Sequence, residues 1–146
     1  LELLITMIQG SEHAIDLQYY MVEDEGKDQL ILRNIVRAAD RGVRVRLLVD
    51  SFNFDNSNLT WSLLDTHKNI ELRIFNPFAT QEQSIVERVA NSLVGLQHYS
   101  RRMHNKVLIV DNQVAVTGGR NLGDSYFDAG SDLNFQDTDV MVIGAV

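Results

Sequence analysis

The 146-residue sequence contains no cysteine and one proline. Without Cys, neither a disulfide framework nor a thiolate metal site can be built, and the redox compartment stays open. One Pro, no low-complexity run and a hydrophobic content of 45% exclude a disordered chain and predict a single domain, residues 1–146, with its own core. Basic residues are also scarce: thirteen Lys and Arg face twenty Asp and Glu, a formal charge of −7. That is the wrong sign for neutralising a long phosphate backbone, so extended nucleic-acid binding loses weight. The longest apolar runs, such as 107–110, are strand-length and far short of the ~20 residues of a membrane span. An initial Met is missing too, and the sequence starts inside a helix-like pattern, which predicts an excised or processed piece.

What is present is an ordered alternation of periods. Residues 1–10 carry apolar side chains at 1, 4, 5 and 8, one helix face, with Gly10 at the C-cap position. Residues 14–21 alternate Ile15, Leu17 and Tyr19 against Asp16, Gln18 and Tyr20, a strand. A helix over 27–40 closes before Gly42, and 43–50 is the next strand. This is a βαβ unit, for which parallel pairing and a right-handed crossover are expected. Asn56, Ser57 and Asn58 offer N-caps for a helix reaching about residue 67, followed by a strand over 70–75. The narrow stripe of Ile85, Val89 and Leu93 fits either a helix over 81–96 or a surface segment. Two short β-rich runs, 107–110 and 114–117, form a hairpin around Asp111, Asn112 and Gln113. A polar stretch over 118–136 leads to a last strand at 140–143. The expected fold class is α/β: a layered α-β-α sandwich around a mixed, largely parallel sheet.

The chemistry gathers on the hairpin. His104 and Lys106 are two residues apart, so on a strand both point to one face, while Asp111 has the opposite parity and sits at the turn, where it braces backbone groups. Gly118 and Gly119 remove side chains where a ligand could approach the backbone, and the Asn121 amide can donate to a phosphate oxygen. Taken singly, a His-x-Lys pair is usually a solvated face and Gly-Gly a turn.

Together His104, Lys106, Asp111, Gly118, Gly119 and Asn121 read H-x-K-x4-D-x6-G-[GS]-x-N, which resembles the signature of the phospholipase D superfamily at every spacing. The resemblance extends from AIDLQYYM through GVRVRLLVD to FQDTDVMVIG. The wording RMHNKVLIVDNQVAVTGGRNLGDSYFD is most similar to the bacterial cardiolipin synthase and phosphatidyltransferase branch. The resemblance implies a phospholipase D/nuclease-type fold and a two-step displacement without metal or other cofactor. In it a neutral His104 nitrogen attacks phosphorus, and water or an alcohol resolves the phosphohistidine. Lys106 and Asn121, beside Gly119, would bind the phosphate oxygens. By its place shortly before the last strand, Asp137 would hold the second imidazole nitrogen, with Asp139 as runner-up.

The resemblance also implies a second H-x-K motif that protonates the leaving alkoxide, and this sequence has one. The partner half is expected in the same polypeptide, with a symmetric second copy as the alternative. Phospholipid at a membrane surface is the expected substrate of the parent protein; the rival is a homodimeric endonuclease or phosphodiesterase of single-motif type, and a non-catalytic half is a third reading. His13, His67 and His98 lack ligand-spaced partners, so no metal site is expected. Arg101 and Arg102 are candidates for an anionic head group, though adjacent arginines are more often solvated.

Overall fold

The computed structural model describes residues 1–22, 28–51, 59–77, 101–130 and 133–146. The helix or surface segment expected over 81–96, His98, and the N-cap candidates at 56–58 lie outside them.

Helix α1 (Glu2–Gln9) buries Leu4 and Ile8, one turn apart on one face. Its C-terminal carbonyls are closed by Arg41, whose guanidinium donates to the carbonyl oxygens of Ile8, Gln9 and Ser11. Strand β1 (Ala14–Tyr19) buries every second residue, Ile15, Leu17 and Tyr19. Helix α2 (Asp28–Asp40) packs Ile31, Leu32, Ile35, Ala38 and Ala39 inward and stops at Gly42, whose φ of 101° suits a residue without Cβ. Strand β2 (Arg44–Asp50) follows with Val45, Leu47 and Val49 buried, then α3 (Leu59–Asp65) and β3 (Ile70–Phe75). Strands β4 (Lys106–Val110) and β5 (Val114–Gly118) form the expected hairpin, and β6 (Asp139–Ile143) closes the described chain.

These six strands make one sheet in the order β3-β2-β1-β4-β5-β6. The sheet is mixed, as expected, but its parallel part is the smaller. β1 pairs parallel with β2 and β2 with β3, whereas β1–β4, β4–β5 and β5–β6 are antiparallel. The βαβ rule governs only the segments joined by crossover helices; the tight turn at 111–113 forces the opposite direction on the hairpin. Helices α1, α2 and α3 share one core with Ile15, Leu17, Val45, Leu47, Ile70 and Leu108, so they cover one face. A second helical layer is not among the described residues. On the other face Arg46 pairs with Asp16 and Arg73 with Glu71, a polar surface consistent with the even-numbered residues of β1 and β2.

Candidate active site

Strand β1 is central, and its carboxyl end is where the hairpin delivers the chemistry. The β1–β4 register sets Tyr19 opposite Lys106, and just beyond it the Tyr20 N–H donates to the Asn105 carbonyl oxygen at 3.1 Å. His104 therefore stands immediately outside the ladder, exposed, while Lys106 is drawn inside at 4% exposure. The Tyr20 ring joins them: its centroid is 4.9 Å from that of the His104 imidazole, and the Lys106 ammonium lies 5.2 Å from the same ring. Lys106 Nζ also donates to the His104 carbonyl oxygen at 2.9 Å. Burial pulls the Lys106 pKa below the ordinary lysine value, and the nearby Asp137 carboxylate acts in the opposite sense.

Asn121 is buried and held at both ends. Its Oδ1 accepts the Met21 N–H at 3.3 Å and its Nδ2 donates to the Tyr126 hydroxyl at 2.9 Å. Leu122 N–H donates to the Met21 carbonyl, so 121–122 runs beside the chain just past the end of β1. An amide nitrogen has two hydrogens, and the second remains for a ligand oxygen.

Gly118 and Gly119 are required by what lies over them. A Cβ on Gly119 would collide with the Asp137 carboxylate, and one on Gly118 with the Asp139 side chain and the Thr138 carbonyl. The two acids then differ. Asp139 is engaged by Arg120 in an ion pair of 2.9 Å, whereas Asp137 accepts the Thr138 N–H and faces the Lys106 side. Among the described residues neither is hydrogen-bonded to His104. A cavity of about 440 Å³, bounded in part by Arg120, Tyr126 and Asp137, opens beside them. A larger one of about 560 Å³ lies between α2 and α3, lined by Leu32, Val36 and Leu63, away from these residues.

Asp111 sits apart from this group. With φ of 55° and followed by Asn112 at 53°, it makes the left-handed turn of the hairpin, and its carboxylate accepts the N–H groups of Glu12, His13 and Ala14 at 2.9, 2.7 and 2.8 Å. Burial works against its ionisation, but these three donors hold its carboxyl below the usual carboxylate range. Asp111 thus ties the turn to the start of β1.

Of the remaining candidates, His67 bonds to Asp40 at 3.2 Å and accepts the Asn69 N–H, a surface role. Arg101 is exposed, but Arg102 is not the solvated residue expected from its exposed-looking pair: its side chain is 15% exposed and ion-paired to Asp50 at 3.1 Å. Three residues that geometry brings into play, Tyr20, Asp50 and Tyr126, were not singled out in the sequence. Tyr20 had a usable signal, an aromatic ring on the outward parity just past the end of β1; a buried Asp closing a strand and a Tyr five residues past Asn121 are not distinctive by themselves.

The family described as "Cardiolipin synthase, PLD-like domain" matches residues 4–144. The chain belongs to that family. It is 43% identical over 140 residues to cardiolipin synthase C of Escherichia coli, covering 96% of this chain and 29% of that protein. It is 39% identical over 142 residues to an uncharacterised protein of Helicobacter pylori, covering 97% of this chain and 28% of the other. The chain therefore spans less than a third of these relatives. In fold it is similar to NucT from Helicobacter pylori (TM-score 0.66, 18% identity, 96% of this chain and 74% of that one). It is also similar to Nuc from Salmonella typhimurium, a phospholipase D family member (TM-score 0.57, 21% identity, 99% and 74%). Among the described residues no group of three or more His, Cys, Asp or Glu could hold a metal ion, and no helix is long and apolar enough to cross a membrane.

Proposed function

We propose that this chain is one catalytic half of an enzyme that cleaves or transfers the phosphodiester of a phospholipid through a phosphohistidine at His104. The observation that carries the reading is the pairing of an exposed imidazole with a buried ammonium, His104 and Lys106, around one tyrosine ring. A desolvated cation is costly to keep, and a phosphate oxygen is the partner that would compensate it.

In the first step a neutral His104 nitrogen forms the N–P bond while the P–O ester bond breaks, and the departing alkoxide takes a proton from an acid supplied by a second H-x-K motif. In the second, water or an alcohol attacks phosphorus, the N–P bond breaks, and the nucleophile's proton returns to that second motif. Lys106 and the spare N–H of Asn121 stabilise charge on the non-bridging oxygens, while the missing side chain of Gly119 makes room for the Asp137 carboxylate rather than for substrate. Asp137 accepts the other imidazole N–H once substrate is in place, since Asp139 is engaged by Arg120. Asp111 supports the arrangement through the backbone.

The relatives named cardiolipin synthase, and their greater length, support phospholipid as substrate, a membrane surface as the place of action and the second motif in the same polypeptide. The test is to incubate the full-length protein with phosphatidylglycerol and look for cardiolipin, with His104→Ala as control. Unchanged turnover in that variant removes the nucleophile assignment. A second reading, a homodimeric endonuclease or phosphodiesterase in which two copies each bring one motif, is favoured by coverage of nearly three quarters of NucT and Nuc. It predicts a dimer and salt-sensitive DNA cleavage, and a net charge of −7 weighs against it.

A further inference from the structure

Among the described residues two charged side chains are buried, Lys106 of the site and Asp50, at 0% exposure, which the proposed reaction does not use. We infer that Asp50 is a positioning residue for His104: its carboxylate fixes the segment that carries the nucleophile and so sets the imidazole beside Tyr20 and Lys106. The inference rests on the reading of His104 given under Proposed function.

Three consecutive residues before His104 are tied to the ends of β2 and β3. The Asn76 side-chain amide donates to the Arg101 carbonyl at 2.9 Å. Arg102 Nη1 donates to Asp50 Oδ1 at 3.1 Å and to Ser51 Oγ at 2.9 Å. The Met103 N–H donates to Asp50 Oδ2 at 2.8 Å. Because β1 lies between β2 and β4, a segment bonded to β2 and β3 at 101–103 and entering β4 at Lys106 must span the carboxyl end of β1. His104 lies on that span, fixed on one side through Met103 and on the other through Asn105, which accepts the Tyr20 N–H. The imidazole makes no hydrogen bond among the described residues, so its place is set by its backbone and the Tyr20 ring.

The chemistry of Asp50 fits this task better than it fits stability. A buried ion pair generally adds little that apolar packing would not. What a carboxylate supplies is two acceptors at once, one for the guanidinium and one for the backbone N–H. An amide offers one acceptor and presents a donor to the other partner. A displacement of the reacting nitrogen by ~1 Å can cost on the order of 10²-fold in rate.

The experiment uses the full-length protein with bis(p-nitrophenyl) phosphate as probe, comparing wild type, Asp50→Asn, Arg102→Lys and His104→Ala, and following the His104 imidazole titration by NMR. The expected result for Asp50→Asn is a fall in kcat of about 10–100-fold with KM within about threefold, and a displaced His104 titration in protein that melts cooperatively. Arg102→Lys, which retains the charge and loses the fork, shows the same pattern more weakly, and it carries the test if Asp50→Asn does not fold. Folded variants with wild-type kcat and an unmoved His104 titration overturn the positioning role. An active His104→Ala variant instead overturns the reading of the site, and the inference with it; an inactive His104→Ala beside a fully active Asp50→Asn defeats the positioning role alone.

Discussion

Strand β1 divides the sheet into two unlike sides. Toward β2 and β3, pairing is parallel and the interior is aliphatic: Val45, Leu47, Ile31 and Ile35 are essentially inaccessible. Toward β4, β5 and β6, pairing is antiparallel, and the interior admits Lys106, Asn121 and the two glycines that carboxylates lie against. The outermost strand there, β6, leaves Val140, Met141, Val142 and Ile143 between 45% and 73% exposed. The first side is aliphatic up to the end of β2, where Asp50 and Ser51 are buried, and the second keeps polar groups desolvated along its length, an arrangement expected of a side that serves activity more than stability.

Substitutions on either side should therefore separate the two properties. His104→Ala is expected to lower kcat/KM by about 10³-fold or more, with an unchanged melting temperature because the side chain is exposed; kinetics and a thermal melt on one sample check both. Leu47→Ala should do the reverse, costing about 3 kcal/mol in denaturant unfolding while activity per folded molecule stays as it was. A large loss of kcat at full folding would erase the division. Lys106→Met is the sharper case, since it is expected to lower activity about 10²-fold and yet raise stability by about 1 kcal/mol, a buried charge being exchanged for an apolar chain of similar length. A destabilised Lys106→Met would show that the ammonium belongs to the scaffold.

Asp111→Asn should cost about 1 kcal/mol near neutrality by weakening the three bonds to residues 12–14. The folded pKa of Asp111 is depressed, so its contribution is present above the unfolded value of about 3.9 and is lost as pH falls through the lower folded value. The gap between wild type and Asp111→Asn in urea melts should accordingly close on acidification; a gap independent of pH would mean the charge is irrelevant. Ile143→Lys, at the exposed end of β6, should change stability by no more than about 0.5 kcal/mol, as a melt will show.

Periodicity placed every described α-helix and strand within a few residues, because burial on one face leaves a period of two or 3.6 in the sequence, but not the 3-10 turn at Asp124–Tyr126 inside the polar stretch. His104 and Lys106 do meet, but around the Tyr20 ring and not through the shared strand parity expected, because β4 begins at Lys106 and His104 lies just outside it. Strand order was not legible in the same way. The alternation of Ile15, Leu17 and Tyr19 says which side of β1 is buried, but not that β4 rather than another parallel strand lies beside it. The site was legible where its residues are close in sequence and illegible where they meet across the fold. Asp50 and Met103, or Asp137 and Gly119, touch because strands from distant segments pair, and no local pattern encodes that. The same limit explains Arg102, which reads as one of two solvated arginines until Asp50 is placed beneath it.

The Asp111 cradle also bears on how the chain reaches its native state. Its three hydrogen bonds join positions separated by 97 to 99 residues, and β1 is flanked on one side by a strand that arrives soon after it and on the other by one that arrives at residue 106. Loop closure of that size must precede the contacts that reward it. The β1–α2–β2 unit is therefore expected to form before the β4–β5 hairpin caps its open edge, an order that pulse-labelled hydrogen exchange during refolding checks. On that order β1 would present an unpaired edge until residue 106 arrives, and that edge is where pairing between copies is expected to start.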